Sequence, residues 1–313
     1  MVTVANYAQL LRPQQRAEWS IGIYTGPTPF DLTAHPSLGL RPVLGPKSLG
    51  AVKADGVADP FMVRSGQDWL MFFEIENRVS GRGEIGLATS RDALSWSFQG
   101  IVLKEPFHLS YPHVWEFEGA WYMLPEAAAS GAVRLYKAES FPMQWKLHAE
   151  LIRGDLVDAT PFRHGNRWWI IAMDGFRRND AMVIYHADRL EGPWHPHPAN
   201  PISQNNRRTA RPAGRMITYD GSLIRFTQDY EEHYGRMVRA FRIEELTPQR
   251  YVESPVGDGE ILGPSGQGWN ASGMHHIDAH RLGPDQWLAC VDGRRTTRRW
   301  PLVDRVAARL TGY

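Results

Sequence analysis

Apolar and polar positions alternate along this chain in short runs that return about every 50 residues. One run begins at Asp59-Pro60 and leads, after a turn, into an aromatic-rich run over 69–74. A second begins at Tyr111-Pro112 and leads into 121–126. Such alternation over four to eight residues is typical of half-buried strands. Its return at a fixed spacing predicts a repeat architecture built from small sheets.

Three further copies of the pattern extend the repeat over the rest of the chain. The third spans 160–174, and fainter copies span 211–229 and 275–292. Between the copies, Trp96, Trp145 and Trp194 recur at a constant interval of 49 residues. Each unit therefore holds about four short strands, which is the composition of a propeller blade. The sequence predicts an all-β fold, a five-bladed β-propeller of four-stranded blades.

One more strand-like segment, 18–24, precedes the first blade. We expect it to pair with the last blade across the chain ends, because such closure removes an exposed sheet edge. The predicted organisation is an N-terminal extension over 1–17, the propeller over 18–300 and a C-terminal tail over 301–313. Within the tail, 302–310 has the pattern of a short helix.

Composition limits the classes of partner. The 35 Lys and Arg nearly balance the 34 Asp and Glu, so no overall field favours nucleic acid or an anionic membrane. Cys290 is the single cysteine, which excludes an intrachain disulfide and fits a reducing compartment. Neither a secretory signal pattern nor a membrane span is recognisable. These features predict a cytoplasmic protein with no nucleic acid recognition.

The candidate chemistry comes from the repeat itself, since the first strand of each blade lines the central channel of a propeller. Polar residues at the starts of the copies are Asp59, Tyr111, His113, Asp158, Arg211, His275 and His276. The ends of the second strands add Glu74, Glu126, Asp174, Asp229 and Asp292, the last two read as turn residues. Carboxyl groups gathered with an arginine and histidines are typical of glycosyl transfer. A third carboxylate nearby would raise the pKa of the acid.

These phrases resemble a known group of proteins. Ala58-Asp59-Pro60-Phe61 is similar to the Asp-Pro signature of five-bladed propeller glycosidases, as in glycoside hydrolase families 43, 32 and 130. A wider set of sequence motifs resembles more closely the N-terminal propeller of glucosamine inositolphosphorylceramide transferases. This set includes 19–22, 110–113, 123–126 and 211–214. That resemblance covers about residues 18–295. It implies that Asp59 is the base or nucleophile, that Glu126 is the proton donor and that Asp158 tunes the pKa of that donor.

The remaining candidates are expected to bind substrate. They are Glu74, Tyr111, His113, Arg211, Arg215, His275 and His276, with Trp115 as a possible sugar-stacking platform. Arginines within 205–215 could hold a sugar acid, a phosphorylated sugar or a pyrophosphate, or they could simply be solvated. Tryptophans that recur at repeat positions are assigned to packing between blades.

The sequence thus predicts a carbohydrate-active enzyme that cleaves or transfers a glycosyl group in the axial pocket, in the intracellular synthesis of a glycan or glycolipid. A hydrolase and a transferase remain alternatives. So does a non-catalytic propeller that binds a glycan or a protein, because fold does not imply function. No cofactor and no catalytic metal are predicted, and a structural Ca²⁺ in the central channel is left open.

Overall fold

The computed structural model describes residues 14–175 and 180–299, and nearly all of its regular structure is β-strand. Two strands come first, β1 (Gln14–Thr28) and β2 (Asp31–Ala34). The strands that follow, in chain order, are β3 (Ala54–Ser65), β4 (Asp68–Asn77), β5 (Arg82–Ser90), β6 (Ser97–Leu103), β7 (Ser110–Phe117), β8 (Ala120–Glu126), β9 (Ala132–Ser140), β10 (Gln144–Arg153), β11 (Leu156–His164), β12 (Arg167–Asp174), β13 (Met182–Ala187), β14 (His195–Pro196), β15 (Arg211–Pro212), β16 (Ile217–Tyr219), β17 (Ser222–Asp229), β18 (Met237–Leu246), β19 (Tyr251–Leu262), β20 (Ile277–Gly283) and β21 (Gln286–Arg299). Within the described ranges, single-turn 3₁₀ helices span Pro46–Leu49, Ala128–Ser130 and Gly268–Asn270.

The strands form five antiparallel sheets, and each sheet is one blade. Blades 1 to 3 are the consecutive quartets β3–β6, β7–β10 and β11–β14, and blade 4 contains β15, β17, β18 and β19, with β16 also paired to β17. Blade 5 has the order β20, β21, β1, β2. The predicted five-bladed propeller of four-stranded blades is therefore confirmed.

Closure of the ring uses two N-terminal strands, where the sequence predicted one. β1 pairs with β21 from Gln14↔Arg299 to Gly26↔Trp287, and β2 then adds the outer edge. The paired strand begins four residues before the expected start of the propeller at 18. The helix expected over 302–310 lies outside the described residues.

Five hydrophobic clusters hold the blades together, one between each pair of neighbours. Blade 1 shows why: the side chains of a strand alternate between its two faces. Met71 and Phe73 pack against blade 5, whereas Leu70 and Phe72 pack against blade 2. Among the repeated tryptophans, Trp69 and Trp168 lie in these clusters, as the assignment to packing predicts. Both faces of blade 1 are thus apolar.

Tight turns connect the inner strands of a blade to the next strand. In blade 2 the turn is Glu118-Gly119, with φ of 51° and 75°, and in blade 4 it is Asp220-Gly221, with φ of 49° and 74°. Two successive positive φ values define the type I′ turn, which matches the twist of the flanking strands and favours glycine. None of the helices in the described part of the chain has the length and apolar character needed to cross a lipid bilayer.

Candidate active site

The inner strands of blades 1 to 3 share a β-bulge that turns one side chain toward the channel. The bulges interrupt the pairing between Ala58 and Phe61, between Ser110 and His113, and between Val157 and Thr160. The first bulge residues are Asp59, Tyr111 and Asp158, with φ of 51°, 47° and 51°. A non-glycine residue at positive φ is uncommon, and three at equivalent positions mark a built feature.

This register corrects the alignment of the repeat. The third copy was taken to begin at 160, which places Pro161 level with Pro60. The bulge makes Ala159 the equivalent of Pro60, so Asp158 corresponds to Asp59. The same correction applies on the second strands. Glu74 pairs with Ala58 and Glu126 with Ser110, whereas the partner of Val157 is Met173. Asp174 is therefore one residue out of step and exposed, because a shift of one residue moves a side chain to the other face.

An axial cavity of about 360 Å³ opens at the bulged end of the channel. It collects Asp59, Glu74, Glu126, Arg211 and His275 from blades 1, 2, 4 and 5, as the sequence predicted. Its lining also includes residues that the candidate set lacks, namely Trp19, Glu76, His108 and Tyr234. We name this the axial cavity.

Asp59 lines the axial cavity, and its side chain is almost fully buried. Its backbone N–H donates to Asp292 Oδ2 at 3.0 Å, which fixes the bulge. Its Oδ1 has no hydrogen-bond partner among the described residues; His276 Nδ1 lies 3.6 Å away and His275 Nε2 3.9 Å away. Burial raises the pKa of Asp59 well above its ordinary value; His275 opposes the rise, and Asp158 adds to it.

Glu126 lies across the cavity at the end of β8, held by the short helix that follows it. Its Oε1 accepts from the backbone N–H of Ala128 at 2.8 Å, and its Oε2 accepts from the Ser110 hydroxyl at 3.4 Å. Burial, and then the charge of Asp158, raise its pKa to about 7. A carboxyl group with that pKa can carry a proton at neutral pH and release it during a reaction.

Asp158 is fully buried. Arg211 Nε donates to its Oδ2 at 2.5 Å, and Gln228 Nε2 donates to the same oxygen at 2.9 Å. Its Oδ1 has no partner in the described structure. The negative charge of Asp158 raises the pKa of both Asp59 and Glu126. Its role in tuning a proton donor stays a prediction.

Asp292, which the sequence analysis assigned to a turn, organises one wall of the site. It is buried, and its Oδ1 accepts the backbone N–H groups of His275 at 3.1 Å and His276 at 3.0 Å. It also contacts His275 Nδ1 at 2.7 Å. Although burial opposes the charged ring, this carboxylate raises the pKa of His275. The protonated form of His275 is therefore favoured at a position next to Asp59.

Two aromatic residues complete that wall. Trp19, from the closing strand β1, stacks on the His275 ring at 4.1 Å between centroids. The hydroxyl of Tyr234 lies 3.0 Å from His275 Nε2, and the guanidinium of Arg211 lies over the Tyr234 ring at 5.2 Å. Ring closure and the site are thus connected, because β1 supplies Trp19.

Four predicted substrate-binding residues lie deeper in the channel, outside the lining of the axial cavity. The hydroxyl group of Tyr111 forms hydrogen bonds with the Thr160 hydroxyl and with the backbone of Gly214. His276 is fully buried, with its pKa lowered to about 4 by burial. His113 and Arg215 are bonded to each other at 3.0 Å, and Arg215 also binds Asp278 at 2.8 Å. These groups brace the channel. A role for them in binding substrate stays a prediction.

Trp115 packs between blades 2 and 3. Its ring stacks near Tyr122, at 5.9 Å between centroids, and lies 6.1 Å from Trp168. It belongs with the blade-to-blade packing that accounts for the other repeated tryptophans, and it does not line the axial cavity.

One group of side chains could approach a metal ion. Asp59, His275 and Asp292 offer ligand atoms that all lie within 4.8 Å of one another. Hydrogen bonds already occupy His275 Nδ1 and both oxygens of Asp292. Ca²⁺ takes six to eight oxygen ligands, and this set falls well short. The sequence left a structural Ca²⁺ open, and this geometry does not test it.

A second cavity of about 770 Å³ adjoins the axial one. It shares Glu126 and His108 with the axial cavity and is otherwise lined by 128–131 and Asp155. We name it the side cavity. His108 Nε2 lies 3.1 Å from Glu74 Oε1, and this contact, opposed by burial, raises the pKa of His108.

The fold and the buried carboxyl groups define a five-bladed propeller with an acidic axial pocket. Residues 11–294 match the family described as "Glucosamine inositolphosphorylceramide transferase 1, N-terminal". The chain belongs to this family. Glucosamine inositolphosphorylceramide transferase 1 from Oryza sativa subsp. japonica is 35% identical over 321 residues, covering 96% of this chain and 43% of that protein. Its Arabidopsis thaliana counterpart is 34% identical over 91% of this chain and 40% of its own length. The chain thus spans about two fifths of these relatives.

Solved structures share the fold at much lower identity. A thermostable family-43 glycoside hydrolase superposes with a TM-score of 0.59 at 13% identity, covering 80% of this chain and 91% of its own. The catalytic domain of a family-62 α-L-arabinofuranosidase from Coprinopsis cinerea gives a TM-score of 0.58 at 12% identity, covering 87% of this chain and 97% of its own. At such identities the likeness concerns architecture alone.

Proposed function

We propose that this propeller is a carbohydrate-active enzyme that cleaves or transfers a glycosyl group in the axial cavity. The observation that carries the proposal is the pair Asp59 and Glu126. Both are buried carboxyl groups with raised pKa values, they line one cavity, and Asp158 acts on both. Two carboxyl groups in different environments divide the roles of base or nucleophile and acid.

Glu126 is the acid in this proposal. It transfers its proton to the leaving oxygen as the bond from that oxygen to the sugar C1 breaks. If Asp59 acts as a base, a hydroxyl group of water or acceptor bonds to C1 and gives its proton to Asp59. If Asp59 acts as a nucleophile, it bonds to C1 first, and the hydroxyl group then displaces it and returns a proton to Glu126. A raised pKa makes the ionised Asp59 a stronger base, and the nearby His275 supports that ionised form.

We further propose that the reaction serves the synthesis of a glycan or glycolipid inside the cell, in the cytoplasm. The names of the relatives, which are transferases, support a synthetic role. A lone, fully buried Cys290 is compatible with a reducing compartment. Fractionation of cells that carry a tagged copy would test the location, and recovery in an oxidising compartment would contradict it.

The direct test is turnover of aryl glycosides, glycosyl fluorides and sugar nucleotides by the wild-type protein and by Asp59→Asn. We expect the substitution to lower kcat/KM by about 10³-fold or more, because it removes the base or nucleophile. Asp174→Asn is the matched control, since that carboxyl group ends the second strand of its blade but is exposed. Unchanged turnover in Asp59→Asn would remove Asp59 from the mechanism.

A non-catalytic glycan-binding propeller is the second candidate. It is favoured by the coverage of the relatives: this chain matches an N-terminal portion of about two fifths, so their transfer activity can reside elsewhere. Glycan binding that survives Asp59→Asn, together with no turnover of any substrate in the panel, would favour this candidate.

A further inference from the structure

Packing between blades does not explain one aromatic side chain of the axial cavity. Tyr234 lies in the connection between β17 and β18, lines the axial cavity and is 44% exposed. Among the large apolar side chains that are exposed in the described ranges, it is the one in that lining; Leu40, Val79 and Leu282, for example, are outside it. An exposed ring among the polar groups of a cavity is typical of a ligand contact.

The Tyr234 ring is held in place on several sides. The guanidinium of Arg211 lies over it at 5.2 Å, its hydroxyl is 3.0 Å from His275 Nε2, and the Trp19 ring meets it edge-on at 6.2 Å between centroids. Gly235 follows with φ of 70° and lets the loop approach Trp19, because a Cβ there would lie 2.4 Å from the indole. A ring fixed in this way loses little conformational freedom when a ligand binds.

This ring stands next to the carboxyl group that the proposed function places at the sugar C1. His275 Nε2 lies 3.0 Å from the Tyr234 hydroxyl and 3.9 Å from Asp59 Oδ1. Glu74 and Glu126 line the same cavity. A ligand in the axial cavity therefore meets an aromatic ring on one side and carboxyl groups around it.

A pyranose ring has surfaces that match both kinds of contact. In a chair with equatorial substituents, the axial C–H groups form an apolar patch on each face, and the hydroxyl groups project from the edge. Such a face packs on an aromatic ring, and the hydroxyl groups can donate to carboxylates. A furanose is smaller and carries oxygen substituents on both faces, so it has no comparable apolar patch.

We infer that Tyr234 is the stacking platform of the axial cavity and that it selects a pyranose over a furanose. The inference rests on the proposed function, because it takes the axial cavity as the place where a sugar binds. Trp115, the platform considered from the sequence, packs between blades 2 and 3 instead. Arg211 and His275 act here as positioning residues that hold the platform.

The test compares isomeric sugars that differ in ring size. One pair is methyl β-D-xylopyranoside and methyl α-L-arabinofuranoside, and the other is methyl β-D-glucopyranoside and methyl β-D-galactofuranoside. Binding to the wild-type protein is measured by ligand-observed NMR. In at least one pair we expect the pyranoside to bind about 10-fold more tightly, with saturation transferred most strongly to the C–H protons of one face. Tyr234→Ala should lower pyranoside affinity about 10-fold and remove the preference.

Matched variants separate the ring from other effects of the substitution. Tyr234→Phe and Tyr234→Trp keep an aromatic face and should keep the preference for the pyranoside. Tyr234→Leu keeps apolar bulk without a flat ring and should lose it, which also provides the test if Tyr234→Ala does not fold. Leu282→Ala truncates a side chain that is 48% exposed and outside the axial cavity, and it should leave both affinities unchanged.

Equal binding of the isomers in both pairs, no binding of any of the four glycosides, or a preference that survives Tyr234→Ala and Tyr234→Leu would overturn the inference. Its failure is distinguishable from failure of the proposed function. Turnover that depends on Asp59, together with equal binding of the isomers, would refute the platform alone. A ring preference that depends on Tyr234, without turnover of any substrate, would support the platform and count against catalysis.

Discussion

The channel contains two Asp–Arg pairs whose arginines are four residues apart, and their surroundings differ. Toward the open end, Arg211 binds Asp158 at 2.5 Å; deeper, Arg215 binds Asp278 at 2.8 Å. Arg215 also contacts His113 and the carbonyl groups of Met62 and Val114. The upper pair leaves Asp158 Oδ1 without a partner among the described residues, and Asp59 Oδ1 is likewise unpartnered.

The electrostatic consequences are opposite at the two levels. Although burial opposes ionisation, Arg215 and His280 hold the pKa of Asp278 far below its ordinary value. At the upper level, burial and the charge of Asp158 raise the pKa values of Asp59 and Glu126. The same residue types thus form a deeper pair whose charges are balanced by their neighbours. At the upper pair, the carboxyl groups are only partly balanced by positive charge, as is typical of a reactive site.

The largest effect that would sharpen this contrast is expected from Glu126→Gln. Loss of the acid should lower kcat/KM by about 10²–10⁴-fold for glycosides with poorly acidic leaving groups, because proton transfer contributes on that scale. The loss of kcat/KM should be much smaller for glycosyl fluorides, because the fluoride ion departs without being protonated. Steady-state kinetics on both substrate types measures it. An equal loss on both would assign Glu126 to structure, like the deeper pair.

The next largest effect is expected at the deeper pair, Arg215 and Asp278. Asp278→Ala leaves Arg215 buried without its carboxylate, which should cost about 3–5 kcal/mol of unfolding free energy. Asp59→Asn should cost far less, because the lost charge was itself unfavourably buried. Chemical denaturation of the two variants beside the wild type makes the comparison. Similar losses in both would show that the upper site is braced as tightly as the lower channel.

The third effect is a pH dependence. The folded pKa of Glu126 is about 7, against an ordinary value of 4.5, so the folded state binds this proton more tightly. The associated stability is fully present below about pH 4.5 and is lost as the pH rises through 7, amounting to about 3 kcal/mol. Unfolding free energies of the wild type and Glu126→Gln should therefore diverge in favour of the variant across that window. Parallel curves would contradict the raised pKa.

Much of this architecture could be predicted from spacing. Repeat length gave five blades, and strand starts gave Asp59, Asp158, Arg211 and His275, which the structure brings together. The spacing of the repeats could not predict the register between the first and second strands of a blade. The bulges in the first strands insert residues, and the alternation of apolar and polar positions does not show where they are inserted. Pro161 was therefore misaligned, and the exposed Asp174 was taken as a counterpart of Glu126.

Residues outside the repeat positions escaped prediction for a different reason. Trp19 reaches the site only because β1 closes the ring, and His108 and Tyr234 lie in connections between strands. Asp292 was read as a turn residue because its partners, the N–H groups of Asp59 and His275, come from distant positions. A cue was present in the sequence, since Trp19 lies within 18–24, the segment predicted to complete the last blade.

The smallest expected effect tests how far the reactive site depends on its wall. Tyr234→Phe removes the hydroxyl group 3.0 Å from His275 Nε2 and leaves the ring over which Arg211 lies. Loss of one such hydrogen bond should cost about 0.5–1.5 kcal/mol, or less than about 15-fold in kcat/KM. Because His275 lies beside Asp59, the acidic limb of the pH–rate profile should also shift, which a purely structural bond would not cause. A variant that loses stability while keeping the wild-type pH profile would place Tyr234 with the brace.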